Sequence, residues 1–348
     1  MPRFAILYDP AVLKHVPPVH HCEHPRRVET IITRLRYCLP EHLFLRPRPA
    51  TLEEICLVHE KAYVKLILES AGKLEFLDAD TYLSPGTPEA ALTAAGAAIT
   101  GAELLMKGEL RWFYAPVRPP GHHAGRNGRA LGAPSQGFCI FNNAALAAVK
   151  ACQLGAKRVA ILDIDGHHGN GTQEIFYDQP LLYISLHQDP HTLYPGTGFL
   201  HEVGTGEGEG FNVNLPLPPG SADDVYSEAF RQVVLPILEE YRPEILLVSL
   251  GFDAHFLDPL TYLQVSLNTY YNVYMIIKEL HVPTGFLLEG GYEEKVLAQG
   301  SELPTDVFLG REEHTIIEQE TESSETVFIK AVSLLREARR VLRKYWQL

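Results

Sequence analysis

The chain has 348 residues, 46% hydrophobic and 21% charged, which excludes a disordered segment or a small stapled module and requires a large core. Lys and Arg number 30 against 43 Asp and Glu, a net charge of −13, so the basic face of a nucleic-acid binder is not expected. Five scattered cysteines without a CxxC pair, no apolar run of the ~18 residues a membrane helix needs, and no signal-peptide pattern point to a soluble protein of a reducing, cytoplasmic compartment.

In chain order, Phe4–Tyr8 reads as a buried strand, followed by helical patterns over Arg27–Tyr37, Lys61–Ala71 and Pro88–Lys107. Trp112–Ala115 is the next strand, then a helix over Asn142–Gln153, strands at Val159–Asp163 and Leu182–His187, and a Gly- and Pro-rich stretch, Gly196–Gly220, expected to be a long surface loop. A helix over Ala222–Tyr241, a strand at Ile245–Leu250, a helix over Asn268–Leu280 and a strand at Thr284–Glu289 complete the alternation. Nearly continuous apolar strands alternating with helices predict a mostly parallel sheet covered on both faces. One domain over residues 1–300 is therefore expected. Residues 301–348 read as an acidic linker, Glu302–Glu325, and a terminal amphipathic helix packed on that domain or on a partner subunit.

Ligands in such sheets bind beyond the carboxyl ends of the strands, and five of those ends carry His, Asp or Tyr beside glycine. They are Arg118-Pro119-Pro120-Gly121-His122-His123, Asp163-Ile164-Asp165-Gly166-His167-His168-Gly169-Asn170, His187-Gln188-Asp189, Gly251-Phe252-Asp253-Ala254-His255 and Glu289-Gly290-Gly291-Tyr292. The chain has 16 histidines, and their placement matters more than their number. Asp165 and His167, two apart on extended chain, leave on one face, and Asp253 can supply a third ligand for a catalytic divalent metal with open positions. The plainer alternative, that Asp-x-His only caps a helix, accounts for one such motif but not for several on neighbouring strand ends. His122 and His123 are candidate acid–base groups, with Asp163 and Asn170 placed to orient them. A carboxylate partner raises an imidazole's pKa and an amide adds no charge, so the pair is expected to differ in protonation. Tyr292 follows a flexible Gly290-Gly291 that would let its phenol swing over a substrate carbonyl.

These residues resemble the histone deacetylase superfamily, which includes prokaryotic deacetylases, acetylpolyamine amidohydrolases and acetoin-utilisation proteins. The motifs are His21-x-Glu23-x-Pro25-x-Arg27-Val28, Arg118 to Ala124, Gly137-Phe138-Cys139, Asp163 to Gly171, Pro195-Gly-Thr-Gly198 and Glu289 to Tyr292, spread from Tyr8 to Tyr292. The resemblance implies a single three-layer α/β/α domain around an eight-stranded parallel sheet, of arginase–deacetylase type. It implies one zinc ion on Asp165, His167 and Asp253, with His123 as general base and acid, His122 paired to Asp163, and Tyr292 polarising the acyl carbonyl. Many members have Asp at the position of Asn170, and Asn there resembles the class II and prokaryotic branches. Gly137, Phe138 and Tyr194 match the walls of a narrow acyl-lysine tunnel, and Leu260 stands where polyamine-specific relatives carry an acidic gatekeeper. A potassium ion is implied at Asp163, Asp165, His167, Ser185 and Leu186, and more weakly a second cation around Phe176, Gln179, Leu182 and Phe211.

The implied activity is hydrolysis of the amide of an acetylated lysine-like amine, without direct nucleic-acid or membrane partners; homo-oligomer formation stays open. Three other readings compete. A two-manganese, arginase-like site needs carboxylates where this chain has Gly169 and His255. An acetylpolyamine amidohydrolase needs a carboxylate at the mouth. A non-catalytic acyl-lysine reader is expected to have lost Tyr292 or the histidines.

Overall fold

The computed structural model describes residues 4–311 and 318–348; His314 and part of the acidic segment lie outside the described residues. Eight strands form one sheet: β1 (Phe4–Leu7), β2 (Phe44–Leu45), β3 (Trp112–Ala115), β4 (Val159–Asp163), β5 (Leu182–Gln188), β6 (Asn212–Leu217), β7 (Ile245–Leu250) and β8 (Thr284–Leu288). Their order is β6-β5-β4-β7-β8-β3-β1-β2, and every neighbouring pair is parallel. Alternate side chains divide the core in two, as the period of two along a strand requires. Ile184, Leu162, Val248, Phe286, Tyr114 and Ile6 form a row across one face, and Tyr183, Ile161 and Leu247 lie on the other. Helices Arg26–Cys38, Leu267–Leu280 and Glu294–Leu309 cover the first face, and Lys61–Glu69, Thr87–Met106 and Asn143–Gln153 the second. Gly285 is required for this packing, since a Cβ there would stand 2.3 Å from the Phe113 ring. The result is a three-layer α/β/α architecture.

Three expectations need correction. The stretch Gly196–Gly220 is not all loop: Asn212–Leu217 is a fully buried strand at the sheet edge. Pro216 hid it, yet an edge strand tolerates a proline, and the Asn212 and Asn214 amides donate to Gln173 Oε1 at 2.9 and 2.8 Å. The acidic linker does not begin at Glu302, because helix Glu294–Leu309 runs through it and through the boundary drawn at residue 300. Glu302 is buried there against Arg34, 2.7 Å away, so pairing rather than exposure absorbs its charge. The helix expected over Ala222–Tyr241 widens into a π turn at Phe230–Val234, just before Pro236, which has no N–H to continue the regular ladder.

The terminal helix Glu325–Leu342 is capped by Ser324 and buries Ala331, Leu335, Ala338 and Leu342 in the first-face core. No helix among the described residues is long and apolar enough to cross a membrane. All five cysteines are free thiols.

Candidate active site

The chain crosses from β4 to β5 on one side and returns to β7 on the other side of β4, so the carboxyl ends of β4 and β7 face a topological switch point. Asp163 closes β4, Asp165 and His167 follow it, and Asp253 lies three residues beyond β7. The ligand atoms of Asp165, His167 and Asp253 all lie within 4.8 Å of one another. His167 Nδ1 is 2.6 Å from Asp253 Oδ2 and 3.4 Å from Asp165 Oδ1. Gly290 N–H donates to Asp165 Oδ2 and Gly166 N–H to Asp253 Oδ1, both at 2.7 Å, which anchors the outer carboxylate oxygens. Burial alone would depress the His167 imidazole, but the two carboxylates lift it to about 10, while burial and Asp165 push the Asp253 carboxyl up to about 6. A proton on His167 thus compensates charge that a cation would otherwise compensate. One nitrogen and two carboxylates sharing a buried space, one side open to a cavity, fit zinc.

The His122-His123 turn needs Gly121, where a Cβ would meet Phe141 O at 2.5 Å. His122 Nδ1 lies 3.1 Å from Asp163 Oδ2, and Nε2 is 3.7 Å from Asp165 Oδ1. Burial opposes its charge, yet these carboxylates raise it to about 10, so it is an imidazolium. His123 Nδ1 lies 2.8 Å from Asn170 Oδ1. The Asn170 amide nitrogen donates to Ala130 O at 2.9 Å, so its oxygen faces the ring, Nδ1 carries the proton, and Nε2 of the neutral ring is left as an acceptor. Burial, assisted by the charges on His122 and His167, holds His123 well below the usual histidine range.

A cavity of about 230 Å³ opens onto this floor and brings His122, His123, Asp165, His167 and Tyr292 together with Gly137, Phe138, Tyr194 and Leu260. Gly137 and Phe138 have φ of +54° and +66°; a Cβ on Gly137 would be 2.5 Å from the His123 ring, and the left-handed Phe138 is held by a bond from its N–H to Thr81 Oγ1. Tyr194 meets His123 edge-on at 4.9 Å and donates its hydroxyl to Ser135 O at 3.0 Å.

The backbone that carries Tyr292 is held by side chains from two directions. Arg27 donates through Nε to Gly291 O at 2.6 Å and through Nη2 to Glu289 O at 2.5 Å, with its guanidinium 4.7 Å from the Tyr292 ring centroid. Tyr292 N–H donates to Asp258 Oδ2 at 2.7 Å. Gly290 is needed for close approach: a Cβ there would lie 2.6 Å from Asp165 Oδ2. Burial pushes the Tyr292 phenol far above its ordinary value and keeps it protonated.

Arg27 and Glu289 belong to quoted motifs but had no role assigned from sequence. Glu289 Oε2 accepts from Gly121 N–H at 2.7 Å and His122 N–H at 3.2 Å, and Ser249 Oγ donates to Oε1 at 3.3 Å, so the end of β8 holds the histidine turn. Its position at a strand end beside two glycines was the available signal. Asp258 and Asp80, which also lines the cavity, lie in loops without periodicity and had none.

Asp163 and Ser185 are register partners on β4 and β5, and Leu186 follows. Burial raises the Asp163 carboxyl despite the neighbouring His122. Around Phe176, Gln179, Leu182 and Phe211, the Phe176 and Phe211 carbonyls accept from Gln179 and Tyr183 N–H. At the positions a second transition metal would need, a Cβ on Gly169 would stand 2.3 Å from Asp163 Oδ2, and His255 is engaged by Glu318 at 2.9 Å and by Leu257 N–H. His168 and His187, with rings 4.7 Å apart, bond to Thr197 and Gly198 and so fasten the loop carrying Tyr194.

A family model described as the histone deacetylase domain matches residues 20–308. The chain is 42% identical over 293 residues to an uncharacterized protein of Methanocaldococcus jannaschii, covering 84% of this chain and 83% of that one. It is 35% identical over 360 aligned positions to a probable deacetylase of Archaeoglobus fulgidus, covering 98% of each. The crystal structure of the HDA15 HD domain superposes with a TM-score of 0.89 at 33% identity, over 99% of this chain and 96% of that one.

Proposed function

The chain belongs to the histone deacetylase family, and from that premise we propose that it is a zinc-dependent deacylase hydrolysing the acetylated side chain of lysine, with Asp165, His167 and Asp253 as the zinc ligands. The observation that carries the reading is the meeting, on one cavity, of Asp165 and His167, with Asp253 beside them, and a neutral His123, a charged His122 and a protonated Tyr292. Zinc, when bound, supplies Lewis acidity and lowers the pKa of water.

The protein's own groups account for the rest. His123 Nε2 accepts the proton of the attacking water, while Asn170 keeps Nδ1 protonated. His122 stays cationic between Asp163 and Asp165, its ring centroid 4.0 Å from that of His123. A proton taken by His123 is therefore destabilised by its neighbour and is passed readily to the leaving amine. Tyr292 donates to the acyl oxygen as negative charge develops there. Phe138 and Tyr194 flank the methylene chain of the substrate, and a potassium ion at Asp163, Asp165, His167, Ser185 and Leu186 would balance buried carboxylate charge.

The competing substrate is an acetylated polyamine. Against it stands Leu260 at the cavity, an apolar side chain with no charge to offer an ammonium group. Acetate release from an acetyl-lysine peptide, compared with acetylputrescine and acetylspermidine and with chelator-treated protein, tests the assignment. Faster turnover of the polyamines refutes the substrate, and turnover that survives complete zinc removal refutes the metal.

A further inference from the structure

The loop that starts at Asp253 carries Leu260 at the cavity, and between them Asp258 is buried, 7% exposed. The loop is braced at both flanks of that residue. Thr261 Oγ1 donates to Asp253 O at 2.6 Å, and Asp258 N–H donates to His255 O at 2.8 Å. His255 Nδ1 accepts from Leu257 N–H at 3.1 Å, so its Nε2 carries the proton given to Glu318 Oε2 at 2.9 Å. The carboxylate of Asp258 then points two ways. Oδ1 accepts from Leu260 N–H at 3.0 Å, the short-range bond of an Asx turn that any loop aspartate can make. Oδ2 accepts from Tyr292 N–H at 2.7 Å, across 34 residues of sequence, and that bond does nothing to shape the loop. Arg27 holds the carbonyls of Glu289 and Gly291, whereas Asp258 holds the N–H of Tyr292 itself. Leu260 and Tyr292 line the same cavity, so one buried side chain joins the residue at its mouth to the backbone of the phenol at its floor.

We propose that Asp258 is a positioning residue for the deacylase reaction, which aims the Tyr292 phenol at the acyl carbonyl and ties that aim to the place of Leu260 at the mouth. The inference rests on the reading of Tyr292 as the group that polarises the carbonyl. A hydrogen-bond donor stabilises developing charge only from the right position, so loss of the clip lowers kcat while binding of the substrate chain persists. Fit at the mouth is therefore felt in turnover as well as in binding.

The test is a double-mutant cycle on the full, zinc-loaded chain, reading acetate release from an acetyl-lysine peptide and from acetylspermidine, with the unfolding midpoint and bound zinc measured for every variant. Asp258→Ala should lower kcat for the peptide by about tenfold or more with KM within about threefold of wild type, and should weaken the preference for the peptide by about threefold or more. Tyr292→Phe keeps the backbone N–H but has no hydroxyl to aim, so in that background Asp258→Ala should change kcat by no more than about twofold. Leu260→Ala removes the side chain at the mouth, and in that background the preference should no longer respond to Asp258→Ala. Asp258→Asn, which offers one oxygen to two donors at nearly constant volume, repeats the cycle should the alanine variant not fold. Each defect it shows must vanish in the matching background. A kcat loss of equal size with and without Tyr292→Phe overturns the coupling and leaves the deacylase standing, as does an Asp258→Asn variant with wild-type turnover and preference. A Tyr292→Phe protein as active as wild type removes the role of Tyr292 and this inference with it, and no acetate from the wild-type chain removes the deacylase as well.

Discussion

At the floor of the cavity His122, His123, Asp163, Asp165 and Asp253 are at most 4% exposed and each is hydrogen-bonded, whereas at the rim Leu257 is 46% and Tyr262 66% exposed on the loop that carries Leu260. The floor concentrates charge in a medium that cannot screen it, so each group fixes the protonation of the next. The rim presents apolar surface to water, where one side chain changes local affinity and little else. The floor groups are thus coupled to one another through charge, and the rim residues are not.

The contrast is broken most directly at His123. His123→Ala should lower kcat by about 10³-fold or more with an unchanged unfolding midpoint, and a variant retaining near wild-type acetate release would remove the assigned base. A second check is the pH dependence of zinc binding. His167, raised to about 10, and Asp253, raised to about 6, hold protons that zinc must displace. Affinity should therefore fall as pH falls, by roughly tenfold per proton per unit and about a hundredfold from pH 8 to 6, as read by competition with a chromophoric chelator. A flat profile would refute the ligand set.

Glu289→Ala leaves Gly121 and His122 N–H without their acceptor, at about 1–3 kcal/mol per group, and should lower kcat by tens of fold with KM little changed. Glu289→Gln, which retains an acceptor oxygen, should recover most of that loss; equal defects in both variants would show that charge rather than positioning matters. The smallest effect belongs to the rim, where Leu260→Glu should shift the preference toward acetylspermidine by about tenfold, measured as a ratio of kcat/KM values. An unchanged ratio would mean that the mouth does not select substrate.

Much of the fold was readable because strands buried on both faces are written as short apolar runs, and Val159–Asp163 and Ile245–Leu250 coincide with β4 and β7 to the residue. Asn212–Leu217 escaped because Asn and Pro mark turns in general and fit here only through Gln173 and an edge position. Glu302 reads as the start of an acidic linker because its partner, Arg34, is 268 residues away. The site was legible where several donors stand close in sequence, as from Asp163 to Asn170. Asp258 and Asp80 act singly from loops, and a lone aspartate carries no such signal.

Amino-acid order by itself determined that imidazoles, carboxylates and glycines follow buried strands, because a parallel sheet places those positions along one edge. Only the tertiary structure decided which of them meet: Asp253 reaches His167 across 86 residues because β7 lies next to β4. It also decided protonation, since His122 and His123 are adjacent and chemically identical, and burial beside two carboxylates or beside an amide is what separates them.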